Sequence, residues 1–225
     1  MNPPGKLRDE PCIAVIADMV KSRELSRAQR PQVQLNFSEF VAYLNEKYKK
    51  AILARFVVTL GDEFQGLLSD ARIIPDLLWD LDHKFQTRGL RAGVGFGMID
   101  TPIGKVAINI DGPALHHARE AIEASRKEKL LGGVFLGFGE PYDPAFNGFA
   151  RLLHRHRFRL KRQQRRVIEL LRQSLTQSAI AEQMGVSRQA VSLYAAAAGW
   201  EAYREGENGW RALLAQIPRG VSSPK

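Results

Sequence analysis

Apolar positions along this chain follow two different periods, and the switches between them mark out the elements. "CIAVIAD", residues 12–18, is a continuous apolar run suited to a buried strand that ends at Asp18. Over Ser26 to Lys50 the spacing of Val33, Phe37, Phe40, Val41 and Leu44 is that of a helix with one packed side. "RFVVTL" and "EFQGLL" alternate like two strands on either side of Gly61-Asp62, a pair that suits a hairpin turn. An amphipathic helix over Ile74–Phe85 follows, then the glycine-containing strand "LRAGVGFGMI", a helix over Pro113–Lys127 and a further strand, "GVFLGFG". This order predicts an α+β fold: a ferredoxin-like, palm-type βαββαβ antiparallel sheet with helices on one face.

The last third reads as helical throughout. In "RLLHRHRFRLKRQQRR", Arg151 to Arg166, eight Lys/Arg and no acid interleave with Leu152, Leu153, Phe158 and Leu160. The pattern predicts a connecting helix with one packed side and a wide cationic side. Next comes "TQSAIAEQMGVSRQAVSLYAAAAGW". Thr176 suits the cap of a helix beginning at Gln177, and Ala181 is small where two helices would cross. Gly185 suits a left-handed turn, Ser187 a second cap, and Val191 points back inward. Ala, then Gly four residues later, then Val six after that is a helix-turn-helix pattern; an ordinary helical hairpin is the alternative. Three parts result: residues 1–143, a basic connecting helix over 144–166, and a small all-α domain over 167–225.

Composition sharpens this. Of 225 residues 44% are hydrophobic and 25% charged, and no apolar run approaches the ~20 residues of a membrane span. The N-terminus carries acids before its first apolar run, unlike a secretory signal, so the expected location is the cytoplasm. Cys12 is the only cysteine, which excludes an internal disulfide or a cysteine zinc cluster. The formal charge of +9 is unevenly spread: residues 1–143 hold 19 Lys/Arg against 19 Asp/Glu, and residues 144–225 hold 14 against 5. A neutral body with a basic end is the electrostatic footprint of a nucleic-acid binder; a solvated basic surface kept for solubility is the alternative. On the DNA-binding reading Gln177, Ser187, Arg188, Gln189 and Ser192 face the groove, and Arg155, Arg162 and Arg166 meet phosphates.

In the neutral part the candidate chemistry is a carboxylate pair. The predicted sheet sets the end of the first strand beside the hairpin tip, so Asp18 and Asp62 meet there, an oxygen-ligand pair suited to Mg²⁺. Lys21, Ser22 and Arg23, at the start of the following helical stretch, are candidate phosphate ligands, with Gly61 at the turn. Taken singly, Asp18 is equally well a helix cap and Asp62 a turn residue.

"AVIADMVKSR", "VVTLGDEFQGLL" and "LRAGVGFGMIDTPIGKVAINIDGPALHHAREAI" resemble the consecutive core motifs of class III adenylyl/guanylyl cyclase domains. With the C-terminal helices, the whole chain resembles the SatD family, which joins such a domain to a small DNA-binding region. The resemblance implies Asp18 and Asp62 as metal ligands and a nucleotide as ligand. It also implies departures. The base-selecting position falls on Val58, and the late-helix Asn and Arg positions, counted from Gly112, fall on His116 and Glu120, with Arg119 one residue off. His116 and Arg119 are therefore carried as candidate nucleotide ligands. Cyclase-like domains commonly pair, so a homodimer is a further expectation. Three functions remain open: a DNA-binding regulator controlled by a nucleotide or phosphate ligand with Mg²⁺; a nucleotidyl cyclase, nucleotidyl-transfer or phosphohydrolase enzyme with an accessory DNA-binding part; or a DNA-binding protein whose cyclase-like domain is a degenerate dimerisation scaffold.

Overall fold

The structure, a computed structural model, describes residues 9–59, 61–84 and 89–218, with the side chains of Arg23 and Lys84 excepted. Leu60 and Phe85, assigned above to a strand and a helix, lie outside the described residues. Five strands form one sheet: β1 (Cys12–Met19), β2 (Ile52–Val58), β3 (Glu63–Leu68), β4 (Leu90–Gly97) and β5 (Val134–Leu136), in the order β2-β3-β1-β4-β5. β1 is antiparallel to both neighbours, and β5 joins β4 in parallel. The sheet is therefore mixed, where an antiparallel one was expected. The helical crossover α3 (Pro113–Glu128) between β4 and β5 brings the chain back in the same direction.

Helices cover both faces, which corrects the one-sided expectation. On one face Ile13, Val15, Ala17 and Met19 of β1 share a core with Phe37, Phe40 and Leu44 of α1 (Arg30–Lys47) and Leu77, Leu78 and Leu81 of α2 (Ile74–Lys84). On the other, Cys12, Ala14 and Ile16 share a second core with Ala114, Leu115, Ala118 and Ile122 of α3. The clue was in β1 itself: a strand apolar at every position, not every second one, is a strand buried on both sides. The alternate glycines of β4 have the same cause. A Cβ at Gly95 would stand 2.1 Å from the Ala114 carbonyl oxygen and 2.3 Å from the Ala118 nitrogen, so α3 lies directly on the β4 backbone.

The basic run does not form a single helix. It is divided between α4 (Tyr142–Arg159) and α5 (Arg162–Arg172), with Leu160 extended between them. The expected boundaries at 143/144 and 166/167 both fall inside helices. Leu153 and Leu160 are buried as expected, but Leu152 and Phe158 face solvent. Arg157 takes an inward position instead, its Nε 2.7 Å from Asp82 of α2. Next come α6 (Gln177–Met184) and α7 (Arg188–Ala197). The Thr176 hydroxyl accepts from Ala179 N–H and the Ser187 hydroxyl from Ala190 N–H, Gly185 turns at φ +65°, and Val191 is fully buried. These two helices have a small core of their own with Val167 and Leu170 of α5. α8 (Trp200–Leu214) returns to the main body, where Trp210 packs against Phe135 of β5 and Phe149 of α4.

Candidate functional site

Strand register sets the centre of the site. Asp18 stands opposite Glu63 across β1 and β3, and opposite Arg91 across β1 and β4, so the three form a row at one end of the sheet. α3 lies over this face and contributes Arg119 and Arg126, seven residues and two turns apart. Arg119 Nη1 and Nη2 donate to the two oxygens of Glu63 at 2.8 and 2.9 Å. Arg126 spans both acids, with Nε 2.7 Å from Asp18 Oδ2 and Nη2 3.0 Å from Glu63 Oε2. Arg91 Nη1 is 3.7 Å from the same Asp18 oxygen.

Asp62 is held at the rim by the turn between β2 and β3. Gly61 adopts the left-handed conformation at φ +60°, and Met19 N–H donates to the Asp62 carbonyl at 2.9 Å. The Ser22 hydroxyl donates to the Asp62 carboxylate, which ties this turn to the 3-10 turn Ser22–Glu24. Lys21, also left-handed, pairs with Glu24 at 3.2 Å. These groups open onto a cleft of about 740 Å³. Asp18, Asp62, Glu63, Arg91, Arg119 and Arg126 make its charged end, and Met19, Leu25 and Val33 its apolar part, with Arg30 and Gln34 of α1 beside them.

The two buried acids are tuned in opposite directions. Burial pushes the Asp18 carboxyl above its ordinary value, against the hydrogen bond and charge of Arg126. Burial acts the same way on Glu63, but the hydrogen bonds and charges of Arg119 and Arg126 outweigh it and hold that carboxyl low. Asp18 Oδ1 is buried with no hydrogen-bond partner, an unused acceptor beside the cleft. Among the described residues no three His, Cys, Asp or Glu side chains gather as a cation cage. The oxygen donors here that Mg²⁺ would use are Asp18 and Asp62, since that ion takes one or two carboxylates and completes its shell with water and phosphate.

Of the residues singled out in the sequence, Asp18, Lys21, Ser22, Gly61, Asp62 and Arg119 come together around this cleft. The Arg23 side chain lies outside the described residues. His116 does not line the cleft; it is exposed, its Nε2 2.7 Å from Asp111. Glu63, Arg91 and Arg126 were missed. A buried-strand position opened by a charged residue, directly after the Gly61-Asp62 turn, was the available signal for Glu63. For Arg126 it was the spacing of seven from Arg119, with Ile122 of the core between them.

On the C-terminal helices Ser187, Arg188, Gln189 and Ser192 are exposed along α7, and Gln177 is half-buried at the start of α6. Arg155 and Arg162 are exposed, whereas Arg166 pairs with Glu169 on its own helix at 2.8 Å.

The model of the SatD family matches residues 12–192. No curated protein matches the chain. Among solved structures, that of a bacterial light-regulated adenylyl cyclase is similar with a TM-score of 0.41 and 12% identity, over 60% of this chain and 44% of that one. The chain thus spans less than half the length of that structure.

Proposed function

The chain belongs to the SatD family, and from that premise we propose that it is a DNA-binding regulator whose sheet part takes a nucleotide or related phosphate ligand with Mg²⁺. The observation that carries this reading is the cleft. Three carboxylates (Asp18, Asp62 and Glu63) and three arginines (Arg91, Arg119 and Arg126) share one cavity with an apolar part, the mixture that a nucleotide's phosphates and base require. Asp18 and Asp62 would hold the cation, which when bound neutralises phosphate charge. Lys21, Ser22, Arg91 and Arg119 would bind the phosphate oxygens. The order of β1 to β4, with α1 and α2 between them, supports a ferredoxin-like, palm-type sheet. The capped pair α6 and α7 supports a helix-turn-helix whose second helix offers Arg188 and Gln189 to base edges. A homodimer would match the paired half-sites that such helices usually read.

A second reading, an enzyme of nucleotidyl transfer or phosphohydrolysis, is favoured by one observation. Arg119 and Arg126 both reach the cleft, and cations fixed there would stabilise charge developing on a transferring phosphoryl group. One set of measurements tests both readings. The full chain is melted with Mg²⁺ and each of the four nucleoside triphosphates, its affinity for selected DNA is measured with and without them, and pyrophosphate and phosphate release are followed. The regulator reading expects a higher melting temperature and a changed DNA affinity with at least one ligand. Turnover that depends on Asp18 would favour the enzyme, and no effect from any nucleotide would remove both.

A further inference from the structure

Arg126 occupies the place of a counter-ion. One guanidinium bridges Asp18 and Glu63, and its side chain is about two-fifths exposed while both acids are buried. Neither Asp18 oxygen is open to a hydrated ion in this arrangement. Oδ2 carries Arg126, and Oδ1 is sealed from solvent without a partner. A cation approaching Asp18 therefore meets a resident one. We infer that Arg126 competes with a divalent cation for Asp18, so that cation entry releases Arg126 into the cleft to become an extra phosphate ligand.

The inference rests on the cation-and-phosphate reading of the cleft and adds its control. The exchange is balanced at each group. Glu63 keeps Arg119 on both oxygens when Arg126 leaves, so no buried acid is stranded. Asp18 trades a single positive charge for a double one. The freed guanidinium already lines the cleft, where water can solvate it but only an anion restores its charge-assisted hydrogen bonds. Cation alone must give up the Arg126 contacts without return, and cation with phosphate recovers them. The two ligands then bind better together than either does alone.

The test reads metal binding without any phosphate. Mn²⁺ is titrated into the full chain and followed by electron paramagnetic resonance, for wild type, Arg126→Gln and Arg126→Lys, with melting curves confirming the fold. Removing a unit charge at contact distance from Asp18 is expected to tighten Mn²⁺ binding at least about tenfold in Arg126→Gln. Lysine, a point charge that cannot span two carboxylates as the planar fork does, is expected to fall between. Adding Asp18→Asn to Arg126→Gln should erase the gain. Unchanged or weaker Mn²⁺ binding in a folded Arg126→Gln, or a gain that survives Asp18→Asn, overturns the inference. If Arg126→Gln does not fold, the lysine variant decides by the same criterion. Should Mg²⁺-nucleotide still stabilise the wild type, only the counter-ion role falls. If no variant binds Mn²⁺ and no nucleotide stabilises the chain, the reading of the cleft falls with it.

Discussion

Glu63 and Asp18 face each other across two strands, share one arginine, and respond to burial with opposite outcomes. Burial raises both carboxyls; Glu63 has two arginines hydrogen-bonded to it, whereas Asp18 has only Arg126 with Arg91 farther off, so the Glu63 carboxyl ends below the ordinary 4.5. A depressed folded-state value contributes stability above the unfolded value and loses it as the pH falls through the folded one. Glu63→Gln is therefore expected to cost about 2 kcal/mol at pH 7, the worth of hydrogen bonds to charged groups. The gap to wild type should narrow as the pH drops below 4.5, which urea melts across that range would show. A gap independent of pH would assign the loss to packing. Asp18 has the opposite sign. Its carboxyl is raised above the ordinary 3.8, so ionising it costs the folded state stability at every pH above that value. Asp18→Asn is accordingly expected not to lower the melting temperature at pH 7. A clear fall would show that the pairing with Arg126 outweighs burial.

At the scale of elements, what was legible in the sequence was what neighbouring residues decide together. The apolar run of β1, the Gly61-Asp62 turn, the caps at Thr176 and Ser187 and the turn at Gly185 all depend on a few adjacent positions. Arg126 was illegible because its role depends on how α3 is seated over β1, 108 residues earlier in the chain. Arg157 was misread for a related reason: a charged run reads as solvated until an acid on another element, here Asp82, claims one member. The seating of α3 makes its own prediction. Gly95→Ala forces a Cβ into helix backbone, not into a yielding side chain, so α3 must lift from β4. The expected cost is about 3 kcal/mol. Because α3 carries Arg119 and Arg126, stabilisation by Mg²⁺-nucleotide should weaken as well. Gly148, within α4, provides the contrast, since a Cβ there would meet nothing within 4 Å. Gly148→Ala should stabilise by up to about 1 kcal/mol through helix propensity alone. Thermal melts of the two variants side by side decide; similar small effects would mean that α3 is not held tightly against β4.

For the whole molecule, order along the chain and order in the packing differ. α6 and α7 share a small core with α5, yet α8, which follows them, belongs to the main body. Trp210 is fully buried between β5 and α4, and Leu214 is buried in the same core as β1. Ion pairs fasten the same region. Arg172 of α5 and Arg211 of α8 both pair with Asp76 of α2, at 2.7 and 2.8 Å, and both reach Glu207. Arg172 also lies over the Trp79 ring, 4.5 Å from its centroid. A chain cut after Gly199 would keep the sheet, the cleft and the α6–α7 pair. It would still lose Tyr203, Trp210, Leu214 and Ile217 from the main core and strand Arg172 with one acid fewer. Trp210→Ala alone is expected to cost about 3–5 kcal/mol, a large share of a typical domain's total stability. The truncated chain should then fail to give a cooperative melt, although the missing helix does not line the cleft. Tryptophan fluorescence and far-ultraviolet circular dichroism of Trp210→Ala should report one shared transition at lower temperature. A truncated protein melting within a few degrees of the full chain, or two separate transitions in Trp210→Ala, would show instead that the C-terminal helices are an independent domain resting on the sheet.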